Sequence, residues 1–285
     1  MGLRLGGRHY GDEEFLVMAV VNRTRDSFFD QGATFSEEAA LAAVDQAVAD
    51  GADIIDIGGI SAGELKEYVG VEEEIARVAA FAREVKRRHP GTAVSVDTWR
   101  HEVAEAVCSA GADLINDSWG GADPLTAVVA AEWGAGLLCA HVGGQAVRTD
   151  PKRVAYDDVM ADVLDRTLAL AERAVALGVP RECVIIDPAH DFGKVTVHSL
   201  EVTRRLREMT GTGWPVLVAV SNKDFIGETL DLPVERRLAG TLATLAVCAW
   251  EGARIFRVHQ VAEARAVLDE VRALKFPDAA ARSDR

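Results

Sequence analysis

The sequence predicts an α/β protein folded as a single (β/α)8 barrel, on three observations. Eight short apolar runs, rich in Val, Ile and Leu, alternate with longer stretches of helical character, the pattern of repeated βαβ units. A Gly-Ala pair recurs between a helix and the next strand, at Gly51-Ala52, Gly111-Ala112, Gly134-Ala135 and Gly252-Ala253. Such a glycine ends a helix in a left-handed conformation and a small residue lets the turn close tightly. Polar side chains gather where the apolar runs stop, as they do at the carboxyl face of a barrel of about 250 residues. An open doubly wound sheet is the alternative architecture.

In chain order, residues 1–14 carry Gly6-Gly7 and Gly11-Asp12 between short mixed segments, a lead-in piece or hairpin ahead of the barrel. The barrel is expected over 15–276, with 277–285 a frayed tail. Phe15 to Val21 forms the first buried strand and ends at Asn22. Ser36 is placed to cap a helix with Glu37 and Glu38 in its first turn, and Gly51 to end it. Ala52 to Ile57 runs into Gly58-Gly59, followed by a helix over 71–89. Ala93 to Val96 ends at Asp97, and Ala112 to Ile115 at Asn116. Gly136 to Ala140 ends at His141, and Val184 to Ile186 at Asp187, where Pro188 stops the strand. Val216 to Val220 ends at Ser221 with Lys223 just beyond, and Ile255 to Val258 includes Arg257 and ends at His259. The run Glu72-Glu73-Glu74 reads as support for a helix dipole.

Bulk properties narrow the function. Of the 285 residues 49% are hydrophobic and 27% charged, enough for a sizeable core. A net charge of −14 speaks against nucleic acid or an anionic membrane surface as a general partner. Cys108, Cys139, Cys183 and Cys248 fit neither a zinc spacing nor a disulfide framework, and read as reduced core residues. With no apolar targeting segment at Met1 to Tyr10 and no run long enough to span a bilayer, a cytoplasmic protein is expected.

The strand ends therefore deliver Asn22, Asp56, Asp97, Asn116, His141, Asp187, Lys223, Arg257 and His259 to one face, with no comparable set expected at the other. Asp97, Asn116 and Asp187 suit a heterocycle presenting both donors and acceptors, whereas Lys223, Arg257 and His259 suit an anion. A ligand with a polar heterocycle at one end and phosphate at the other satisfies both groups.

At these residues the chain resembles the dihydropteroate synthase family of pterin-binding TIM barrels. Asn22-Arg23-Thr24-Arg25-Asp26-Ser27-Phe28-Phe29-Asp30 is similar to its Asn-Val-Thr-Pro-Asp-Ser-Phe-Ser-Asp signature. Ser95-Val96-Asp97-Thr98, Ile115-Asn116-Asp117, Asp187-Pro188 with Phe192-Gly193-Lys194, Ser221-Asn222-Lys223 and Arg257-Val258-His259 follow in the family's order. The resemblance implies joining of 6-hydroxymethyl-7,8-dihydropterin diphosphate to p-aminobenzoate in folate biosynthesis, by a homodimer using Mg2+. It implies Asp97, Asp187 and Lys223 as catalytic contacts to the pterin, with Asn116 beside them. Asn22, Arg257 and His259 would hold the diphosphate, Asn22 also facing the Mg2+, and Phe28, Phe192 and Ser221 would lie near the aminobenzoate. The broad apolar helix Leu238 to Ala249 suits barrel packing or a dimer surface, and the resemblance favours the dimer.

The chain departs from the family pattern chiefly after the second strand. The family reads Gly-Gly-Glu-Ser-(Thr/Ser)-Arg-Pro-Gly, and here Gly58-Gly59 leads into Ile60-Ser61-Ala62-Gly63-Glu64-Leu65-Lys66-Glu67-Tyr68-Val69. The Arg is lost and two acids are gained, and Lys66 does not reproduce a guanidinium fork. Arg23 and Arg25 replace Val and Pro, and Ala140 stands where Met is common. Ala189-His190-Asp191 replaces Gly-apolar-Gly, Asn222 a basic residue and Asp224 a small polar one. His190 reads as a satisfied loop histidine. The pterin-facing residues survive and the second-substrate surroundings do not, as in a divergent second copy of actinobacterial type. Three functions follow: a working synthase, a paralogue that binds a pterin-like or anionic ligand without synthase activity, or a pterin-dependent methyltransferase. The last needs no diphosphate, so the Asp26-Ser27-Phe28 loop and Arg257-Val258-His259 speak against it.

Overall fold

The computed structural model describes residues 2–23, 36–60, 69–147 and 155–277. Phe28 and the altered loop of residues 61–68 lie outside these. A two-stranded antiparallel hairpin, β1 (Leu3–Leu5) and β2 (Arg8–Tyr10), precedes eight parallel strands. These are β3 (Leu16–Asn22), β4 (Ile54–Gly58), β5 (Ala93–Asp97), β6 (Leu114–Asp117), β7 (Gly136–Ala140), β8 (Val184–Asp187), β9 (Leu217–Val218) and β10 (Ile255–Val258). Their order is β8-β7-β6-β5-β4-β3-β10-β9. A parallel bridge between Ile186 and Val216, with Ile186 N donating to Pro215 O at 3.0 Å, joins β8 to the chain entering β9 and closes the ring. The barrel is thus realised, with its seventh barrel strand shorter than the apolar run at 216–220 suggests.

The ten helices among the described residues begin with α1 (Glu37–Ala49), α2 (Val71–Arg88), α3 (His101–Ser109), α4 (Leu125–Trp133) and α5 (Val159–Ala176). They continue with α6 (Thr196–Arg204), α7 (Leu206–Thr210), α8 (Asp224–Leu230), α9 (Leu238–Trp250) and α10 (Val261–Lys275). Ser36 caps α1 as expected, its hydroxyl accepting from Ala39 N at 3.2 Å. Gly51, Gly111 and Gly252 adopt φ values of 96°, 103° and 106°, so the recurrent Gly-Ala joints are left-handed turns that a side chain would strain.

Alternation along each strand sorts the core into two layers. Val17, Ile55, Val94, Ile115, Leu137 and Phe256 face outward and pack under the helices. Leu16, Met18, Ile54, Leu114, Ile185 and Ile255 face inward, where Leu3, Leu5 and Tyr10 of the hairpin join them. The lead-in hairpin is therefore the plug of the barrel's amino end. Here one expectation fails, because that end is also polar. Asp53 accepts from Val17 N at 2.9 Å and pairs with Arg265 at 2.5 Å. Asp113 likewise accepts from Val94 N at 2.8 Å and pairs with Lys86 at 2.6 Å. Each aspartate of a Gly-Ala-Asp joint satisfies a strand N–H that the sheet leaves free. Their ion-pair partners come from helices, Arg265 of α10 and Lys86 of α2. A second correction concerns Glu74. It is fully buried and pairs with Arg100 at 2.8 Å, so it ties α2 to the chain before α3 rather than merely serving a dipole.

Candidate functional site

The two-residue period that turns Ile54 inward also turns Asp56 inward, one layer higher. Asp97, Asn116, Asp187 and Arg257 share that inward parity on β5, β6, β8 and β10. The fully buried Asp56 is the hub. It accepts from Ser95 Oγ at 2.6 Å, Asn116 Nδ2 at 3.1 Å and Arg257 Nε at 2.7 Å. Arg257 reaches on to Asp97 at 3.4 Å, and Asp97 accepts from Ser118 Oγ at 2.8 Å. Burial works against the Arg257 charge, but Asp56, Asp97 and Asp187 more than offset it and its pKa is raised. Burial likewise lifts Asp97 to about 6, against the opposing pull of Arg257. Asp56 is a strand-end residue to which the sequence motifs assign no task, and Ser118 lies outside the motifs altogether.

Asp187 sits 6% exposed, and its carboxylate accepts from Ala189 N at 2.7 Å. Burial raises it to about 6, opposed by that hydrogen bond and by Lys194, Lys223 and Arg257. The chain then turns through two non-glycine residues at positive φ, Ala189 (49°) and Asp191 (66°), and brings Phe192 back to the pocket. Lys223 precedes α8, with its ammonium 4.5 Å from the centre of the Phe192 ring. The edge of Trp119 meets the same ring at 5.8 Å. Burial lowers the Lys223 pKa, countered first by Asp191. A flat platform bounded by carboxylates, an amide and a cation is suited to a planar heterocycle that donates and accepts along its edges.

At the end of β10, His259 Nδ1 lies 3.0 Å from Ser221 Oγ. Burial, then Arg257 and Lys223, press this imidazole down to about 3, so at neutral pH it offers a hydrogen bond and no charge. Asn222, at φ 57°, is turned away from an anion role. Its Nδ2 donates to Gln260 Oε1 at 3.2 Å and its N to Thr241 Oγ1 at 3.0 Å. Arg23 lays its guanidinium 4.9 Å from the centre of the Phe81 ring on α2. Asn22 ends β3 opposite Gly58, and a Cβ at Gly58 would come 3.0 Å from its Oδ1. Glycine at 58 therefore leaves that amide its room.

His141 does not join the pocket. Inward-facing Ala140 sends it outward, where it is 1% exposed and bonded to Asp162 of α5 at 2.7 Å. His190 is fully buried, with Nε2 3.1 Å from Thr203 Oγ1 and its ring stacked on Phe225. Its Nδ1 has no hydrogen-bond partner among the described residues, so it is only half the satisfied histidine expected. All four cysteines are buried thiols, as expected. Among the described residues, the single grouping of three metal-ligating side chains, His101, Glu102 and Asp123, lies away from this pocket at the starts of α3 and α4. No helix among them is long and apolar enough to cross a membrane.

Comparison with known proteins places the architecture. Residues 18–259 match the family of pterin binding enzymes, and the chain belongs to that family. Within it the chain is of the dihydropteroate synthase type, a transferase fold. It is 54% identical to inactive dihydropteroate synthase 2 of Mycobacterium tuberculosis over 95% of this chain and 86% of that protein. It is 39% identical to the dihydropteroate synthase of Bacillus subtilis over 87% of this chain and 85% of the relative. The crystal structure of the Yersinia pestis dihydropteroate synthase with a sulfonamide drug superposes with a TM-score of 0.90 at 31% identity, covering 96% of this chain and 99% of that one. The relatives thus include proteins named as synthases and proteins named as inactive.

Proposed function

We propose that this chain is a divergent dihydropteroate synthase paralogue that binds a pterin and has lost the condensation with p-aminobenzoate. The observation that carries the reading is the Asp56 hub. Asp97, Asn116 and Arg257 are gathered around one buried carboxylate, while Asp187 and Lys223 face each other electrostatically across the pocket. In this reading Asp97, Asn116, Asp187 and Lys223 contact the pterin and Phe192 supports it. Asp187, held in a dry site, favours positive charge developing on the pterin methylene. Arg257, the neutral His259 and Asn22 would receive the diphosphate.

Loss of condensation is supported on the other side of the pocket. A diphosphate leaving group needs fixed cations around it. Here Asn222 stands in place of a basic residue and is tied to Gln260 and Thr241, and Arg257 is already engaged by two aspartates. The loop after β4 lacks the family's hydroxyl residue, Arg and Pro and carries two added acids, Glu64 and Glu67. Phe28 and Ser221 would border the aminobenzoate, Ser221 now being held by His259.

For Mg2+, Asn22 contributes one neutral oxygen, and Asp56 and Asp97 are occupied by Arg257. That donor set fits only an ion that arrives on the diphosphate, which would supply most of its oxygens. The same reading makes the chain a cytoplasmic homodimer. Val247 and Trp250, about half exposed on α9, offer an apolar contact, which light scattering can test.

Replacing residues 61–68 with the Bacillus subtilis synthase loop, together with Asn222→Arg, tests the loss directly. Appearance of pteroate synthesis from a silent parent supports the reading. Synthesis by the unaltered chain at the Bacillus subtilis rate overturns it.

A further inference from the structure

Behind the pocket a lysine with no task in the pterin reading is built into the fold. Lys194 is 2% exposed. Its ammonium lies 2.6 Å from His141 Nδ1, 3.2 Å from Ala189 O and 2.9 Å from Phe192 O. An ammonium has three N–H groups, and here each has one acceptor. The arrangement fixes the histidine tautomer. Nδ1 accepts from Lys194, so the ring proton sits on Nε2 and is donated to Asp162 at 2.7 Å, and Arg166 holds the same Asp162 oxygen at 2.9 Å. The two carbonyls belong to the turn of residues 189–193, where Ala189, Asp191 and Gly193 all have positive φ. Two of those three are side-chain-bearing residues in a region that favours glycine, so the turn needs outside support. Tyr156 adds some, its hydroxyl donating to Gly193 O at 2.5 Å.

We infer that Lys194 is a positioning residue: its ammonium clips the carbonyls of Ala189 and Phe192 to His141 and so holds the Phe192 ring and the Asp187 carboxylate where a heterocycle meets them. The clip requires the proton. A neutral amine has two N–H groups for three acceptors, so when Lys194 deprotonates the link between the two turn carbonyls and His141 is broken at one of its three contacts.

The surrounding charges set where that happens. Burial brings the lysine down to about 7, while Asp187, Asp162 and Asp191 support its charge and Lys223 opposes it. His141, His190 and His198 also face it, all with lowered pKa values and so uncharged at neutral pH, and Arg166 lies behind Asp162. The sign is therefore definite. The clip is closed below neutral pH and opens as pH rises through about 7.

The link to ligand binding rests on the pterin reading, but the clip can be tested without ligand. Hydrogen exchange is followed on the full chain and on Lys194→Met from pH 6.5 to 9, corrected for intrinsic rates. The same samples are titrated with 6-hydroxymethyl-7,8-dihydropterin. The expected result is a loss of protection of about tenfold or more at the amides of residues 189–192 in K194M, with strand β8 unchanged. In the parent those amides lose protection between pH 7 and 9, and K194M shows no such pH dependence. Pterin affinity follows the same profile. Equal protection in parent and K194M, or a parent turn indifferent to pH, overturns the inference. Should K194M not fold, the pH profile of the parent decides alone. A parent that shows the exchange profile but binds no pterin sinks the functional reading and leaves the clip standing.

Discussion

Replacing Asp56 by Asn isolates the hub on which the pocket is built. The amide keeps the shape and its hydrogen bonds can be rearranged, because the Ser95 hydroxyl can turn to accept. What disappears is the charge opposite Arg257, whose side chain is 22% exposed and would retain only the 3.4 Å contact to Asp97. Removing one member of a buried pair costs about 3–5 kcal/mol, and the residual solvent at Arg257 reduces this to about 2–3 kcal/mol. At roughly 2.1 cal/mol/K per residue, a chain of 285 residues has an unfolding entropy near 0.6 kcal/mol/K, so the thermal midpoint should fall by about 3–5 °C. Asp97→Asn is the internal control. Its contact is longer and its side chain 25% exposed, so it should cost no more than about 1 kcal/mol. Both variants are compared by thermal scanning and urea unfolding at pH 7.5. If Asp56→Asn costs no more than Asp97→Asn, the hub assignment is wrong.

Other outcomes follow from the same structure. Asp187→Asn removes a buried charge that has no close ion pair among the described residues, so its thermal midpoint should hold or rise while pterin affinity falls by about 10- to 100-fold; calorimetry that finds unchanged affinity would contradict its role. Leu3→Ala leaves a cavity in the plug of the barrel and should cost about 2–5 kcal/mol in urea, and a loss below 1 kcal/mol would mean the hairpin is dispensable.

Acid should destabilise the protein. His141, His190 and His259 are held near 3, below their usual 6.5, so the unfolded chain binds more protons and stability falls as pH drops from about 6.5 towards 3. Asp97 and Asp187, raised to about 6, act in the opposite sense between pH 6 and 4, but with smaller shifts. His190→Phe can keep the stack on Phe225 and removes one of the three histidines. Its unfolding free energy, measured in urea, should decline less steeply below pH 6.5, by up to about 1.4 kcal/mol per pH unit, and an unchanged slope would refute the attribution.

The barrel was legible because its signals are local. Each Gly-Ala joint and each apolar run is complete within a few residues, and the strand-end carboxylates follow directly. Facing was also legible in principle. Counting by twos along β4 and β7 turns Asp56 into the pocket and His141 out of it, yet end-of-strand position alone does not distinguish the two. The pairing of Glu74 with Arg100 and the three acceptors of Lys194 are tertiary facts, created by neighbouring elements that no local pattern announces. The acidic residues at the amino end were misread for a related reason. Asp53 and Asp113 sit just before their strands, and their task becomes visible only when the adjacent strand N–H is in view.

Calorimetric titration with 6-hydroxymethyl-7,8-dihydropterin diphosphate, followed on the same sample by turnover with p-aminobenzoate, tests the central claim most directly. Saturable binding of the pterin with no pteroate formed, beside a Bacillus subtilis synthase that turns over, is the result expected here. Pteroate formed at the synthase's rate, or no binding of the pterin at all, would contradict it.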